Sequence, residues 1–136
     1  MDNHFKHYKT LLTRINNMNM ELIVLKDKWY NLTGTTYDDI KIKGTKPVDI
    51  ADQLHNIVEK EDRLKAVINQ KEELRRIHEN EINKIKSNKK RTILKLFYLD
   101  GCSIKQIAHC LEVSDGHVKK LKRYAIQEFK EKVIEV

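Results

Sequence analysis

Gly116, Lys120, Arg123 and Gln127 recur at steps of four, three and four. On an α-helix, which turns 100° per residue, that spacing sets them in one row. Lys119 and Lys130 fall on one flank of the row, His117 and Tyr124 on the other. Lysine and arginine placed this way can pair with phosphates or donate to guanine O6 and N7. A glycine near the start of the row leaves no side chain to hold a partner surface away from the backbone. The chemistry these types support is recognition of an anionic surface, not the making or breaking of bonds.

Other constellations are weaker. Cys102, His109, Cys110 and His117 form a Cys-x6-His-Cys-x6-His arrangement, but adjacent residues on a helix point about 100° apart and this is no common zinc spacing. The two cysteines are expected to be small buried thiols. His4, His7, His55 and His78 stand on otherwise polar helical faces, where histidines are usually solvated, so no metal and no cofactor is expected. No glycine-rich phosphate loop or nucleophile signature is present, which argues against an enzyme. Two cysteines do not make a disulfide framework, and no apolar stretch suits a signal peptide or a membrane span. The expected compartment is a reducing cytoplasm.

The row needs a scaffold, and the flanking residues supply one. Val118, Leu121, Ala125 and Phe129 form the opposite seam of the same helix, which Ser114 caps after the turn Glu112-Val113-Ser114. A shorter helix before it is capped by Ser103 and turns Ile104, Ile107, Ala108 and Leu111 inward. A third, after the caps offered by Ser87-Asn88, carries Ile93, Leu96 and Phe97 on one face and ends at Asp100-Gly101. A small residue where the last two helices cross and an apolar one inside the tight turn, roles open to Ala108 and Val113, are the steric requirements of a helix-turn-helix. The candidate double-stranded DNA contacts are then Gly116, His117, Lys120, Arg123 and Gln127 in the groove, with Ser114 and Asp115 at the entering end. Lys119, Lys122 and Lys130 are candidate phosphate clamps, and Ser103, Lys105 and Gln106 are placed to meet the flanking backbone.

Charge is distributed to match. The net charge of +7 favours polyanions, and the segment 87–136 holds most of it, eleven lysines and arginines against six acidic residues. Upstream, Phe5, Tyr8, Leu12, Ile15, Leu22, Leu25 and Trp29 predict a helix over about 3–31, and a stripe from Ile50 to Ile85 predicts another over about 48–86, some 50–60 Å long. Pro47 suits its first turn and Asp49 its dipole; residues 32–47 between the two read as a loop. A stripe that long needs a partner, either the first helix folded back on it or a second subunit. The expected fold is therefore all-α: a long antiparallel helical hairpin or coiled coil over 1–86, followed by a three-helix helix-turn-helix over 87–136. A dimer is the favoured oligomer.

The segment ILKLFYLDGCSIKQIAHCLEVSDGHVKKLKRYAIQEF, from Ile93 to Phe129, resembles region 4 of bacterial sigma-70-type factors, over roughly the last 48 residues. The stretch Thr35-Thr36-Tyr37-Asp38-Asp39-Ile40 with Gly44, followed by a long charged helix, is similar to phage-encoded sigma-region-4-like regulators of late genes, the ArpU/RinA type. The resemblance implies a small sequence-specific DNA-binding transcription regulator, an activator of phage or prophage late genes, and leaves contact with RNA polymerase open. Two departures stand out. Glu112 occupies a turn position that usually carries glycine, at a cost of up to about 1 kcal/mol if the backbone there is left-handed, and Asp115 stands where primary sigma factors tend to carry arginine. Nothing resembles the region that melts promoters. The alternative reading is a helical adaptor that recruits RNA polymerase or a packaging component and contacts DNA weakly.

Overall fold

A computed structural model describes residues 1–33 and 47–134, with side chains described over 1–31 and 50–134. Of the loop expected over residues 32–47, both ends are helical, while residues 34–46, with Thr35, Thr36 and Gly44, lie outside the described residues, as does the side chain of Asp49. Within them the chain is all-helical, with five α-helices and no strand: α1 (Lys6–Thr33), α2 (Pro47–Ile82), α3 (Asn88–Leu94), α4 (Ile104–Leu111) and α5 (Asp115–Phe129). α3 continues as a π-helical turn over Lys95–Leu99 and α5 as another over Lys130–Ile134.

The chain divides into two compact units, one of Met1–Thr10 with Lys71–Val136 and one of Leu11–Gln70. The division expected at residue 86 therefore falls inside the first unit. The physical reason is aromatic. Phe5 and Tyr8, fully buried, belong with the C-terminal part of the chain: Phe5 stacks on Tyr98 at 4.7 Å between ring centroids and lies 5.6 Å from Phe129. Arg75 donates to the Tyr8 hydroxyl and pairs with Glu79 and with Asp100 at 3.0 Å. Burial alone would lower the pKa of its guanidinium, but these three partners outweigh it and raise the pKa further.

A second cluster in this unit lies among α3, α4 and α5. Ile93, Ile107, Ala108 and Val118 are its buried centre, with Leu96, Phe97, Cys102, Ile104, Leu111, Val113 and Leu121 packed around them. Leu94, Tyr98 and Leu99 are buried too, so α3 and its π-helical turn are covered on more than the one face that the spacing of Ile93, Leu96 and Phe97 marks.

α2 stops at Ile82, four residues before the expected end, and Ile85 is buried in the turn that follows. Arg91 makes that stop possible, because its guanidinium donates to the Ile85 and Lys86 carbonyls that a continuing helix would have satisfied. Ser87 then caps α3, accepting from the Lys90 N–H.

In the other unit, α1 and α2 of the same chain share one apolar cluster. Leu22, Ile57 and Leu64 are buried there, with Ile15, Met18, Leu25, Trp29 and Ile68 against them. Lys26–Glu61 (2.9 Å) and Lys60–Glu21 (3.5 Å) flank it; exposed pairs of this kind contribute little, about 0–1 kcal/mol each.

Candidate nucleic-acid interface

The site begins with two serines. Ser103 accepts from the Gln106 N–H (3.1 Å), and the Gln106 side chain accepts from the Ser103 N–H (2.8 Å), a reciprocal capping box at the start of α4. Ser114 caps α5 in the same sense, accepting from the His117 N–H at 3.2 Å. Gln106 and Ser103 thus spend side-chain atoms on each other, and the N–H groups left without a cap in the first turn are those of Ile104 and Lys105.

Between the caps the chain turns sharply. Glu112 has φ 57° and ψ 43°, the left-handed conformation. Its N–H bonds the His109 carbonyl (3.3 Å), and the Val113 N–H reaches the Ala108 carbonyl (3.0 Å). These two bonds make a Schellman ending for α4, and Val113 closes it by packing into the core beside Ala108. The position that departs from glycine is therefore one that does need positive φ.

α5 is pinned by one side only. Val118, Ala125 and Phe129 are wholly buried. Gly116, Lys120, Arg123 and Gln127 are all exposed, as are Asp115, His117, Lys119, Tyr124 and Lys130, and so are Lys105 and Ser103 beside α4. Among the described residues Lys105, Lys119, Lys120, Arg123 and Lys130 form no ion pair. Elsewhere in the same unit Lys90 and Lys132 share Glu128, and Lys71 holds Glu72. Lys132 and Lys90 hold the Glu128 carboxyl below its ordinary range. The five unpaired cations of this site lie on the face of α5 away from the core, and on α4 next to it.

Lys122 does not share this face. Its ammonium lies 3.6 Å from the centre of the Phe97 ring and 6.0 Å from that of Tyr98, a cation–π packing contact. Partial burial holds its pKa below the ordinary lysine value, against the pull of Asp2. Beside it an open groove with an apolar floor of Ile104 and Ile126 is rimmed by Lys119, Lys122 and Arg123.

Gly116 has no internal reason to be glycine. It sits in helical backbone, and a Cβ built on it would meet nothing within 4 Å. Gly101 differs, with φ +67° in the turn after α3.

The cysteine and histidine expectations divide. Cys102 and Cys110 are both free thiols, but Cys102 is half-buried and Cys110 exposed, because Cys110 falls on the outer side of α4 beside exposed His109. His7 and His55 are exposed as expected, whereas His78 is buried at 5% exposure and His4 is half-buried. His78 escapes solvent because the rings of Phe5 and Tyr8 close over it. Sequence spacing gave no signal for this, since its partners lie some seventy positions away.

Fold and site together define an all-helical protein that presents a cationic, glycine-bearing helix face beside a capped helix N-terminus. The chain belongs to the family described as protein of unknown function (DUF1492), whose model matches residues 31–130. Comparison with curated proteins and with solved structures gave no match. Among the described residues no helix is long and apolar enough to cross a membrane.

Proposed function

We propose that α3, α4 and α5 form a sigma-region-4-like helix-turn-helix that binds double-stranded DNA, with α5 as the recognition helix, in a sequence-specific transcription regulator. The observation that carries this reading is the unpaired cationic row of α5 on the side opposite its buried seam. Lys120 and Arg123 are the base-reading or phosphate-pairing groups, Lys119 and Lys130 the flanking phosphate contacts, and the exposed N-terminus of α4 with Lys105 the contact to the neighbouring backbone. Lys122 acts chiefly by packing on Phe97. The helical hairpin of α1 and α2 is the oligomerisation or partner-binding element, and the resemblance to phage regulators points to late-gene activation in a bacterial cytoplasm.

The test is binding of the full chain to duplex DNA taken from upstream of its own reading frame, over a range of salt concentrations. Removing one phosphate-pairing cation is expected to reduce the slope of log K against log salt by about 1. Lys120→Ala or Arg123→Ala is expected to weaken binding about five- to a hundredfold if bases are read. Unchanged affinity and site preference in both would remove the proposed reading head.

One observation favours the adaptor reading. Met20, Ile23 and Val24, exposed at 60, 60 and 52%, occupy one face of α1, and apolar groups of this size side by side mark interaction surfaces. Ile23→Glu in the full chain separates the readings. Loss of self-association or polymerase capture with DNA affinity intact supports the adaptor, and a fall in DNA affinity caused by dissociation of a dimer supports the regulator. A fragment of residues 1–86 would not serve, because Phe5, Tyr8 and the end of α2 belong to the C-terminal unit.

A further inference from the structure

His4, His78 and Glu81 converge in the unit that carries α3 to α5. His4 Nε2 lies 3.0 Å from both oxygens of Glu81, His78 Nδ1 lies 2.7 Å from Oε1 of the same carboxylate, and one donor atom from each residue falls within 4.8 Å of the others. His78 and Glu81 stand one turn apart near the end of α2, while His4 comes from the turn before α1. The surroundings are apolar: Phe129 and Phe5 meet the His4 ring edge-on at 5.3 and 5.2 Å, and Phe5 and Tyr8 cover His78. Among the described residues this is the one group of three or more such side chains placed to share an ion.

We propose that His4, His78 and Glu81 bind a divalent transition-metal ion, with Zn2+ as the ion the donors suit best. Two imidazoles and one carboxylate are a borderline donor set, suited to Zn2+ and unsuited to Ca2+ or Mg2+, which prefer all-oxygen shells. Three protein ligands leave a fourth position for water. The hydrogen bonds now seen hold the donors in place by sharing protons, and the ion takes over from those protons, which are released on binding. Metal–ligand lengths of about 2.0–2.1 Å require donor atoms about 3.4 Å apart, so the two His–Glu contacts open by roughly half an ångström. The half-buried state of His4 and Glu81 leaves a path from solvent. A metal held here ties the first turn of the chain to the end of α2 and steadies the aromatic cluster on which α3 and the end of α5 rest.

The experiment uses the full chain in a Cys102→Ser, Cys110→Ser background, stripped with chelator and titrated with Zn2+ by calorimetry and with Co2+ by visible absorption. One equivalent of Zn2+ is expected, with proton release, a raised Tm and a four- or five-coordinate Co2+ spectrum without thiolate charge transfer. His4→Ala and Glu81→Gln should each weaken binding by about a hundredfold or more, whereas His7→Ala and His55→Ala should leave it unchanged. His4→Ala keeps the test sound even if changes at buried His78 impair folding, since its own apo Tm is measured alongside. No binding, or binding that survives His4→Ala in a folded protein, overturns the proposal and leaves the triad as a hydrogen-bonded strut.

Discussion

Replacing Gly116 with alanine pits the fold against its partner. The added methyl meets nothing within 4 Å in the folded chain, and the position lies in helical backbone of the first turn of α5. Alanine there loses less backbone entropy on folding than glycine and stabilises the helix by about 0.5–1 kcal/mol. For a chain of 136 residues that raises Tm by roughly 2–4 °C. If α5 enters the major groove with its first turns deepest, the same methyl faces DNA. An extra methyl forced into a close-packed contact costs about 1–3 kcal/mol, which weakens binding about five- to 150-fold. Stability and affinity therefore move in opposite directions. Thermal unfolding of the free protein and fluorescence anisotropy with labelled duplex measure the two separately. A variant that melts higher and binds DNA as well as the parent refutes the placement of Gly116 against the groove; one that melts lower refutes the claim that the fold leaves this position free.

Glu112→Gly should raise stability by about 1 kcal/mol, seen as a Tm increase of a few degrees, because a left-handed L-residue costs roughly 1–2 kcal/mol and glycine returns part of that through its freer unfolded chain; a fall in Tm would mean that the Glu112 side chain does something its exposed position does not reveal. Tyr98 should titrate late, its hydroxyl pushed up to about 12 by burial and then by the charge and hydrogen bond of Asp2. A raised tyrosine pKa favours the protonated folded form, so this contribution is fully present below about pH 10, the unfolded value, and is lost as pH rises toward 12. Ultraviolet titration of the chain against Tyr98→Phe isolates the transition, and one centred near the unfolded value would contradict the buried placement.

What could be read from the chain was whatever local spacing controls. Ser87, Ser103 and Ser114 all cap helices where their neighbours said they should, because a cap is decided within three residues. The seam of Val118, Ala125 and Phe129 follows from the helical repeat alone, and with it the exposure of Lys120 and Arg123 on the other side. The left-handed turn at Glu112 was legible only as a condition, since the residue in place argues against the conformation it adopts. There the Schellman bonds and the burial of Val113 outweigh a local preference worth about 1 kcal/mol.

What was hidden depended on residues far apart in the chain. Leu94, Tyr98 and Leu99 look like the outer side of α3 until Phe5 arrives to stack on Tyr98. His78 looks like one more solvated histidine until Phe5 and Tyr8 cover it and Glu81 and His4 take up its polar neighbourhood. Lys122 reads as a phosphate clamp, and its ammonium also packs on the Phe97 ring. These placements share a cause. Apolar spacing along one helix counts a single buried stripe, whereas an element gripped from two sides buries residues that the stripe assigns to solvent. The first ten residues supply the second grip, so the part of the molecule that holds the basic face in place is built from both ends of the chain. A substitution at Phe5 is then as direct a route to disturbing α5 as one within α5 itself, through Phe129, 5.6 Å away.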